Sequence, residues 1–187
     1  MGYTSEYPTQ DIDHVNATSY NANGYWYPYF CTDPSKPLTG GGGGNSWQTA
    51  EGIKANIRFH IDLGSAKTIT RIYYENSKGQ AGGVSEGVQN FTFWGSNDAA
   101  DFADLVFNND GNWVQLTTAQ STWEQHVDED IADPKYILVT NITAYRYYAF
   151  KFTDNWGNDY FMGCRRIELQ SGTAPVVSFL PKIMMVG

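Results

Sequence analysis

Residues 55–63 read Ala-Asn-Ile-Arg-Phe-His-Ile-Asp-Leu and alternate between apolar and polar side chains from the third position onward. The apolar side chains would share one face of an extended strand: Ile57, Phe59, Ile61 and Leu63. The polar ones would share the other face: Arg58, His60 and Asp62. Residues 148–153 repeat this alternation. A period of two places one face on a core and the other in water, as in antiparallel sheets, so we predict an all-β chain.

Short strands separated by turn-rich segments continue along the chain. Glycine, asparagine and aspartate are concentrated between them, for example in residues 78–87 and 108–112, and these residue types favour turns. The predicted strands lie at residues 14–20, 55–63, 68–75, 89–96, 113–117, 136–140, 145–153 and 165–170. About eight strands with this punctuation predict an antiparallel jelly-roll β-sandwich.

Three parts are predicted along the chain. Residues 1–13 are polar and form an N-terminal arm, residues 14–170 form the sandwich, and residues 171–187 form an apolar C-terminal tail. Two prolines in the tail, Pro175 and Pro181, argue against one continuous helix there. Exposed apolar segments usually mark contact surfaces. We therefore expect residues 173–187 to dock on a protein partner or on a second copy of the chain, and the alternative is a linker.

Composition excludes several functions. The formal charge of −8 and the isoelectric point near 4.7 argue against nucleic-acid binding, which needs clustered Lys and Arg. No window holds the roughly 18 apolar residues that a transmembrane helix requires. Residues 1–10 lack the basic flank and apolar run of a secretory signal peptide. Two cysteines, Cys31 and Cys164, cannot form a tetrahedral zinc site alone.

The sequence gives no support for an enzyme. A glycosidase needs two carboxylates placed across a cleft, and no pair of acidic residues is distinguished from the other surface acids. The His-Glu-x-x-His pattern of zinc proteases does not occur. His14, His60 and His126 lie in polar segments or on a polar strand face, which is typical of solvated histidines. We therefore predict a protein without catalytic residues.

Five segments form an ordered set along the chain. They are Ile61-Asp62-Leu63-Gly64 and residues 67–72, 88–98, 113–116 and 166–169. In order and spacing they resemble the strands of the discoidin domain, also called the coagulation factor 5/8 type C domain, a galactose-binding-like fold. The resemblance covers residues 14–170. It implies a jelly-roll sandwich whose usual role is binding, often to glycans or lipid head groups.

The resemblance also implies one structural calcium ion, held by Asp33 of a loop and Glu168 of the last strand. Calcium takes six to eight oxygens, which two carboxylates and loop carbonyls can supply. The alternative is two ordinary surface acids. With the calcium geometry, Cys31 and Cys164 would be close enough to pair, and the alternative is two separate buried thiols. Gln48 stands where galactose-binding members often have a histidine, so the implied sugar pocket is not the standard one.

Aromatic and amide side chains in the predicted loops suit a sugar. A pyranose ring offers an apolar C–H face to an aromatic platform and a rim of hydroxyls to amide or acidic side chains. The best candidate is the loop 154–160, where Trp156 stands among Asn and Asp residues; the alternative is a tryptophan that covers the end of the sandwich. The predicted ligand-binding residues are Trp156, Asn155, Asn158, Asp159, Trp47, Glu75, Asn76, Trp26 and Tyr27.

These observations predict a non-catalytic binding module with a glycan or another cell-surface ligand. The expected setting is extracellular or the surface of a phage or virus particle, where such a module would serve adhesion. The alternative is a structural decoration protein of a virion or an extracellular assembly, in which the fold is a scaffold and binds no sugar.

Overall fold

The computed structural model describes residues 2–40, 43–78 and 83–172. Among these residues, the strands are β1 (Tyr3–Glu6), β2 (Val15–Ala17), β3 (Trp47–Gln48), β4 (Ile57–Lys67), β5 (Ile69–Asn76), β6 (Phe91–Ser96), β7 (Val114–Thr118), β8 (Lys135–Thr140), β9 (Tyr145–Phe152) and β10 (Gly163–Gly172). The helices are two 3₁₀ helices, Ala22–Gly24 and Pro28–Thr32, and the α-helix α1 (Ala99–Ala103). No helix in the described part of the chain is long and apolar enough to cross a bilayer.

The strands form two layers joined at one strand. They pair in the order β1–β10–β5–β8–β7–β6–β9–β4–β2, with β3 added to β10, and each of these pairings is antiparallel. β7 pairs with β6 through residues 114–116 and with β8 through residues 117–118. Because β7 belongs to both layers, the sheet curls over on itself. The predicted antiparallel β-sandwich is confirmed, with ten strands in place of about eight.

The apolar core between the layers follows the predicted alternation. Ile57, Phe59 and Ile61 of β4 are each at most 1% exposed. Their cross-strand neighbours on β9 are aromatic, since Ile57 pairs with Phe152 and Phe59 with Phe150. Burial of such a side chain contributes roughly 1.5–3 kcal/mol to stability. The two strands therefore form the centre of the sandwich.

The opposite face of β4 is covered by protein, which contradicts the sequence analysis. Residues 97–113, which include α1, pack over it. A second apolar cluster joins this segment to the sheet: it contains Phe102 and Trp113 of the segment and Trp94, Tyr147 and Ala149 of β6 and β9. We call the outer surface of β4, β9 and β6 under residues 97–113 the covered face.

Polar residues on the covered face are buried and bonded to the covering segment. Arg58 is 0% exposed, and its Nε donates to the carbonyl of Val106 at 2.9 Å. His60 is also 0% exposed, and its Nδ1 lies 2.8 Å from the carbonyl of Phe102. The prediction of a solvated His60 is therefore wrong, because a period of two identifies two faces but does not show what lies over the second one.

The ends of the chain depart from the predicted domain limits. Residues 1–13 were expected to be an arm, but β1 lies within them and pairs with β10 from Tyr3 opposite Gly172 to Glu6 opposite Leu169. β10 correspondingly extends two residues beyond the predicted limit of 170. The predicted docking segment, residues 173–187, lies outside the described residues.

Candidate functional site

Four connections meet at one end of the sandwich, which we call the loop end. The first residue of β4, the last of β9 and the first of β6 are in register, because Phe152 pairs with both Ile57 and Phe91. In the other layer the last residue of β5, Asn76, pairs with Cys164 at the start of β10. The connections that meet here are residues 18–56 (with the short β3), 77–90, 119–134 and 153–162.

The loop of residues 153–162, which the sequence analysis favoured, is built around Asn155. The side-chain amide of Asn155 donates to the carbonyls of Asn158 (2.9 Å) and Phe161 (2.6 Å), and its oxygen accepts from the N–H of Gly157 (2.9 Å). Asn155 is only 8% exposed. Its amide is therefore committed to holding the loop, and little of its surface is open to the predicted ligand.

Asn158 and Asp159 have different roles in this loop. The Oδ1 atom of Asn158 accepts from the N–H groups of Tyr160 (2.8 Å) and Phe161 (2.9 Å), which closes an Asx-type turn. Asp159 is exposed and forms a salt bridge with Lys54 at 2.7 Å. The Lys54 ammonium lowers the pKa of Asp159 through a hydrogen bond. Asp159 and Lys54 are thus polar groups that a ligand can reach.

Trp156 is half-buried at the loop end. Its indole Nε1–H donates to the carbonyl of Trp123 at 3.2 Å, and its backbone N–H donates to the carbonyl of Gly87 at 3.1 Å. These two bonds fix the orientation of the ring relative to the connections 77–90 and 119–134. Part of the indole remains open to solvent.

Two tyrosines that are not among the predicted contacts are the most exposed aromatic side chains at the loop end. Tyr25 is 67% exposed and Tyr160 is 59% exposed. Tyr25 follows the 3₁₀ helix Ala22–Gly24 in a left-handed conformation (φ 58°), and the side chain of Asn21 caps that helix. Tyr160 ends the favoured loop. The signal that could have identified both is their position at the edge of turns rich in Asn and Gly.

Residues 48–52 connect the two tyrosines. The N–H of Asn21 donates to the carbonyl of Gln48 at 2.9 Å, which fixes the turn that carries Tyr25. On the other side, the N–H of Gly52 donates to the carbonyl of Tyr160 at 2.8 Å. The turns that carry the two exposed tyrosines are therefore both hydrogen-bonded to one short backbone segment.

Three predicted ligand-binding residues lie inside the protein. Trp47 is 1% exposed, packs against Phe59 with ring centroids 5.1 Å apart, and donates its indole N–H to the carbonyl of Ser19. Glu75 and Asn76 are each 0% exposed. These three predicted contact residues therefore have almost no exposed surface, because the connections of the loop end cover the ends of the strands.

The predicted aromatic residues Trp26 and Tyr27 are half-buried. The ring of Tyr27 stacks on Tyr29 with centroids 5.4 Å apart and packs against Tyr20 at 5.3 Å. The neighbouring Trp26 is tied into the Asn21 turn by its backbone N–H, which donates to the carbonyl of Asn21 at 3.1 Å. Tyr27 thus packs among other tyrosines of the loop end, and Trp26 adds a half-buried aromatic side chain next to Tyr25 in the chain.

A buried acid lies behind this surface. Glu86 is 4% exposed, and its Oε2 accepts a hydrogen bond from Nε2 of Gln48 at 3.0 Å. Burial raises the pKa of Glu86, and the bond from Gln48 opposes part of that shift. Gln48 occupies the position that a histidine often takes in the family that the sequence resembles. In this chain it is 8% exposed and is committed to Glu86.

Residues 83–87 read Gly-Val-Ser-Glu-Gly, which matches the Gly-x-Ser-x-Gly pattern of serine hydrolases. In those enzymes the serine lies on a sharp turn between a strand and a helix. Here the segment lies between β5 and β6, and the carbonyl of Ser85 accepts from the N–H of Asn158 at 3.3 Å. The next described element is the strand β6 and not a helix. The pattern therefore marks a turn of the loop end.

Asp33 and Glu168 do not fit a calcium ion. Oδ1 of Asp33 accepts from both the N–H (2.9 Å) and the hydroxyl (2.7 Å) of Ser35. The two oxygens of Glu168 accept from Ser5 (2.7 Å) and from the guanidinium of Arg166 (3.3 Å). A calcium ion needs six to eight oxygens, and a guanidinium at the carboxylate repels it. The described residues also contain no cluster of three or more His, Cys, Asp or Glu side chains suited to a metal.

The two cysteines are buried neighbours with free thiols. Cys31 and Cys164 are each 0% exposed, and a hydrogen-bonding contact joins their thiols. Burial, followed by this contact with Cys31, raises the pKa of the Cys164 thiol well above its usual range. Of the two arrangements left open by the sequence, the structure shows unpaired thiols that lie side by side.

The solved structures that this chain resembles include several carbohydrate-binding modules. A family 32 module from C. perfringens NanJ, solved with galactose, matches with a TM-score of 0.60 and 14% identity over 91% of this chain and 100% of that chain. Chitosan-binding module 1 of a chitosanase/glucanase from Paenibacillus sp. IK-5 matches with a TM-score of 0.55 and 19% identity over 90% of this chain and 99% of that chain. A pectin-binding module matches with a TM-score of 0.59 and 16% identity over 91% and 95%.

No family model matches this chain, and no curated protein sequence matches it significantly. At identities below 20% the structural likeness establishes the fold. Family 32 modules are galactose-binding-like domains, so the fold implied by the discoidin resemblance is confirmed.

Proposed function

We propose that this protein is a non-catalytic glycan-binding module and that its ligand lies across the loop end. The observation that carries this proposal is the pair of exposed rings, Tyr25 and Tyr160, on either side of residues 48–52. Single exposed aromatic side chains are common on protein surfaces, whereas exposed ones grouped at one end of a fold are typical of a binding surface. A pyranose face fits an exposed ring, and the partly open Trp156 adds a third surface.

Polar groups that suit the rim of a sugar lie beside these rings. Asp159 and Lys54 form an exposed acceptor and donor pair next to Tyr160 in the chain and in space. Sites for small polar ligands combine apolar contact area with a few fixed polar groups in this way. A sugar would exchange hydrogen bonds with this pair while one face of its ring packs on the tyrosine.

The carboxylates at the loop end favour binding over hydrolysis. A glycosidase uses one carboxylic acid and one carboxylate, both open to the same bond. Glu86 is buried against Gln48, and Asp159 is held by Lys54. Neither is arranged as an open partner of the other. We therefore propose recognition without cleavage.

The charge of the loop end suggests which sugars are favoured. Three of its basic side chains are paired with aspartates, in the salt bridges Lys54–Asp159, Lys78–Asp128 and Arg165–Asp130. Glu51, Glu124 and Glu129 are exposed and form no salt bridge with a described residue. Solved modules of this fold include chitosan-binding and pectin-binding ones, so the fold itself does not select a charge. We propose that this chain favours neutral or amino sugars over uronates.

The setting in which the module works is also part of this proposal. Polysaccharides are met mainly at cell surfaces, so we propose an extracellular location or the surface of a virion. The decoration role considered from the sequence depends on residues 173–187, which lie outside the described residues. No observation on the described residues favours that role.

A glycan array tests the proposal directly. The wild-type protein and the variants Tyr25→Ala and Tyr160→Ala would be applied to the same array. We expect wild-type binding to at least one glycan class and a loss of at least tenfold in each variant. Tyr136→Ala is the matched control, because Tyr136 is 50% exposed but its ring packs on Tyr73 and Arg71 of β5 and not on a connection of the loop end. Equal binding by all four proteins, or no binding by the wild type, would contradict the proposal.

A further inference from the structure

The start of β10 contains an irregularity that brings two arginines together. In the pairing of β10 with β5, Cys164 lies opposite Asn76 and Arg166 lies opposite Glu75, so β10 advances two residues where β5 advances one. A bulge of this kind inserts one unpaired residue and redirects the neighbouring side chains. Arg165 is that extra residue. Both Arg165 and Arg166 are buried, at 6% and 3% exposure.

Both arginines bond to the backbone of residues 33–40. Nη2 of Arg166 donates to the carbonyl of Lys36 at 2.6 Å. Nη1 of Arg165 donates to the carbonyl of Leu38, and its Nη2 donates to the carbonyl of Gly40 at 3.4 Å. Three carbonyls of one irregular loop thus accept from two guanidinium groups.

Arg165 also ties this loop to two other connections of the loop end. Its Nη2 lies 2.9 Å from Oδ1 of Asp130 and 3.4 Å from the carbonyl of Lys78. The carboxylate of Asp130 in turn accepts from the N–H of Gly40 at 2.9 Å. Residues 33–40, 77–90 and 119–134 therefore share one bonded centre.

Arg166 lies between two acids of low exposure on the same face of the sheet. Glu75 is its direct cross-strand neighbour and is 0% exposed. Glu168 is two residues further along β10, and its Oε1 accepts from Nη1 of Arg166 at 3.3 Å. The guanidinium is therefore bonded to the Glu168 carboxylate and to one loop carbonyl. The Glu75 carboxylate, on the neighbouring strand, accepts from the Tyr73 hydroxyl and from the N–H of Asp133 at 3.2 Å. Hard divalent cations prefer the same oxygen set.

We propose that Arg166 is the built-in cation of this site: its guanidinium bonds to the Glu168 carboxylate and the Lys36 carbonyl, the oxygen groups that a divalent ion would need here, opposite Glu75 in the strand pair. The loop 33–40 is then held without metal, because the positive charge is covalently part of β10. A guanidinium is always protonated and weakly hydrated, so its burial beside two carboxylates is feasible. The disagreement between the residues and the expected calcium ion has this physical cause.

The first test compares calcium responses. Melting temperatures would be measured in excess calcium and in excess chelator for the wild type, Arg166→Met and the control Arg146→Met. Arg146 forms a bidentate ion pair with Asp62, is 44% exposed and lies at the opposite end of the sandwich. We expect equal wild-type melting temperatures in both buffers. Arg166→Met should melt lower in chelator and regain several degrees in calcium, since a ligand that binds only the folded state stabilises it. Arg146→Met should show no calcium response.

A second variant and a direct titration keep the test decisive. The double variant Arg166→Met/Glu168→Gln removes one carboxylate, so its calcium response should be lost while the protein stays folded. Isothermal titration calorimetry of calcium into the wild type should show no binding heat, and this requires no variant to fold. Binding heat in the wild type would overturn the proposal, as would a folded Arg166→Met that melts identically in calcium and chelator. These outcomes do not depend on whether a glycan binds.

Discussion

On the covered face, Arg58 and His60 are fully buried, whereas at the loop end Tyr25 and Tyr160 are more than half exposed. Folded proteins usually bury aromatic side chains and expose charged ones, so both regions invert the ordinary distribution. The reasons differ. On the covered face, Arg58 and His60 each bond to a backbone carbonyl of residues 97–113. At the loop end, the rings of Tyr25 and Tyr160 are open to solvent. Buried polar groups here serve stability, and exposed aromatic groups are available for a ligand.

The largest effect that this comparison predicts is at Arg58. Its guanidinium donates to the carbonyls of Val106 (2.9 Å) and Asn109 and to the carboxylate of Asp110. Arg58→Met should lower the free energy of unfolding by about 3 kcal/mol, because the fully buried guanidinium loses all three bonds and a hydrogen bond to a charged group contributes about 1.5–3 kcal/mol. Chemical denaturation measures this change. Glycan affinity of the folded variant should equal that of the wild type.

Arg146→Met is the control for that measurement. The Arg146–Asp62 pair has two bonds of 2.8 Å, but the arginine is 44% exposed. Exposed ion pairs contribute about 1 kcal/mol or less. If both variants lost equally little stability, the covered face would not depend on its buried arginine and the comparison would fail.

Protonation of His60 should change the free energy of unfolding by a similar amount, but only at low pH. Burial lowers the pKa of His60 to about 4, with the backbone hydrogen bond to Phe102 opposing the shift. A histidine in the unfolded chain has a pKa near 6.5, so the unfolded state binds more protons between these values. Stability should therefore fall as the pH decreases from about 6.5 to about 4, by up to about 3 kcal/mol.

A His60→Gln variant isolates this contribution from that of the acids. Glutamine can donate to the Phe102 carbonyl, and it does not titrate. Unfolding curves measured at several pH values should show a flatter pH dependence in the variant than in the wild type over this range. Parallel curves for the two proteins would mean that His60 is protonated as easily in the folded state as in the unfolded one.

The sequence predicted the sandwich because the core alternation is a local property. Ile57, Phe59 and Ile61 lie on one face whatever surrounds them, and their burial confirms the prediction. The burial of His60 could not be predicted in the same way. It depends on a segment about 40 residues later in the chain, since His60 bonds to the carbonyl of Phe102.

The candidate site was predicted at the level of its loop but not of its surface. Residue type led to Trp47 and Glu75, yet both are buried, because a residue near the end of a strand can point inward as readily as outward. Tyr25 and Tyr160 were missed because exposure is decided by turn geometry. Asn21 and Asn158, whose side chains cap those turns, are the residues in which that geometry is encoded.

Two half-buried tryptophans offer a sharper version of the comparison. Trp94 lies on the covered face with its indole N–H donating to Thr92 at 2.7 Å, and Trp156 lies at the loop end with its N–H donating to Trp123 at 3.2 Å. Each Trp→Ala change should lower the free energy of unfolding by about 1–2 kcal/mol. The loss for a fully buried tryptophan is typically larger, about 3–5 kcal/mol. Only Trp156→Ala should also weaken glycan binding, by at least tenfold in a titration. If Trp156→Ala unfolds the domain, Trp156 belongs to the core and not to the site.

The smallest expected effect is the preference of the loop end for sugar charge. Lys54 and Lys78 are paired with aspartates, while Glu51, Glu124 and Glu129 are exposed. An oligosaccharide of protonated amino sugars should therefore bind severalfold more tightly than a uronate oligomer of equal length. Added salt should reduce the difference, because the Debye length falls from about 10 Å at 0.1 M to about 3 Å at 1 M.

Calorimetric titrations at low and high salt measure this preference, and a single neutral substitution locates it. Glu51→Gln should narrow the gap between the two sugars. Asp13→Asn, which removes an exposed acid near the opposite end of the sandwich, should leave the gap unchanged, because that charge lies well beyond a Debye length of the ligand. Tighter binding of the uronate would mean that contacts with the tyrosine rings outweigh repulsion by the exposed glutamates. The exposed acids of the loop end would then have no part in recognition.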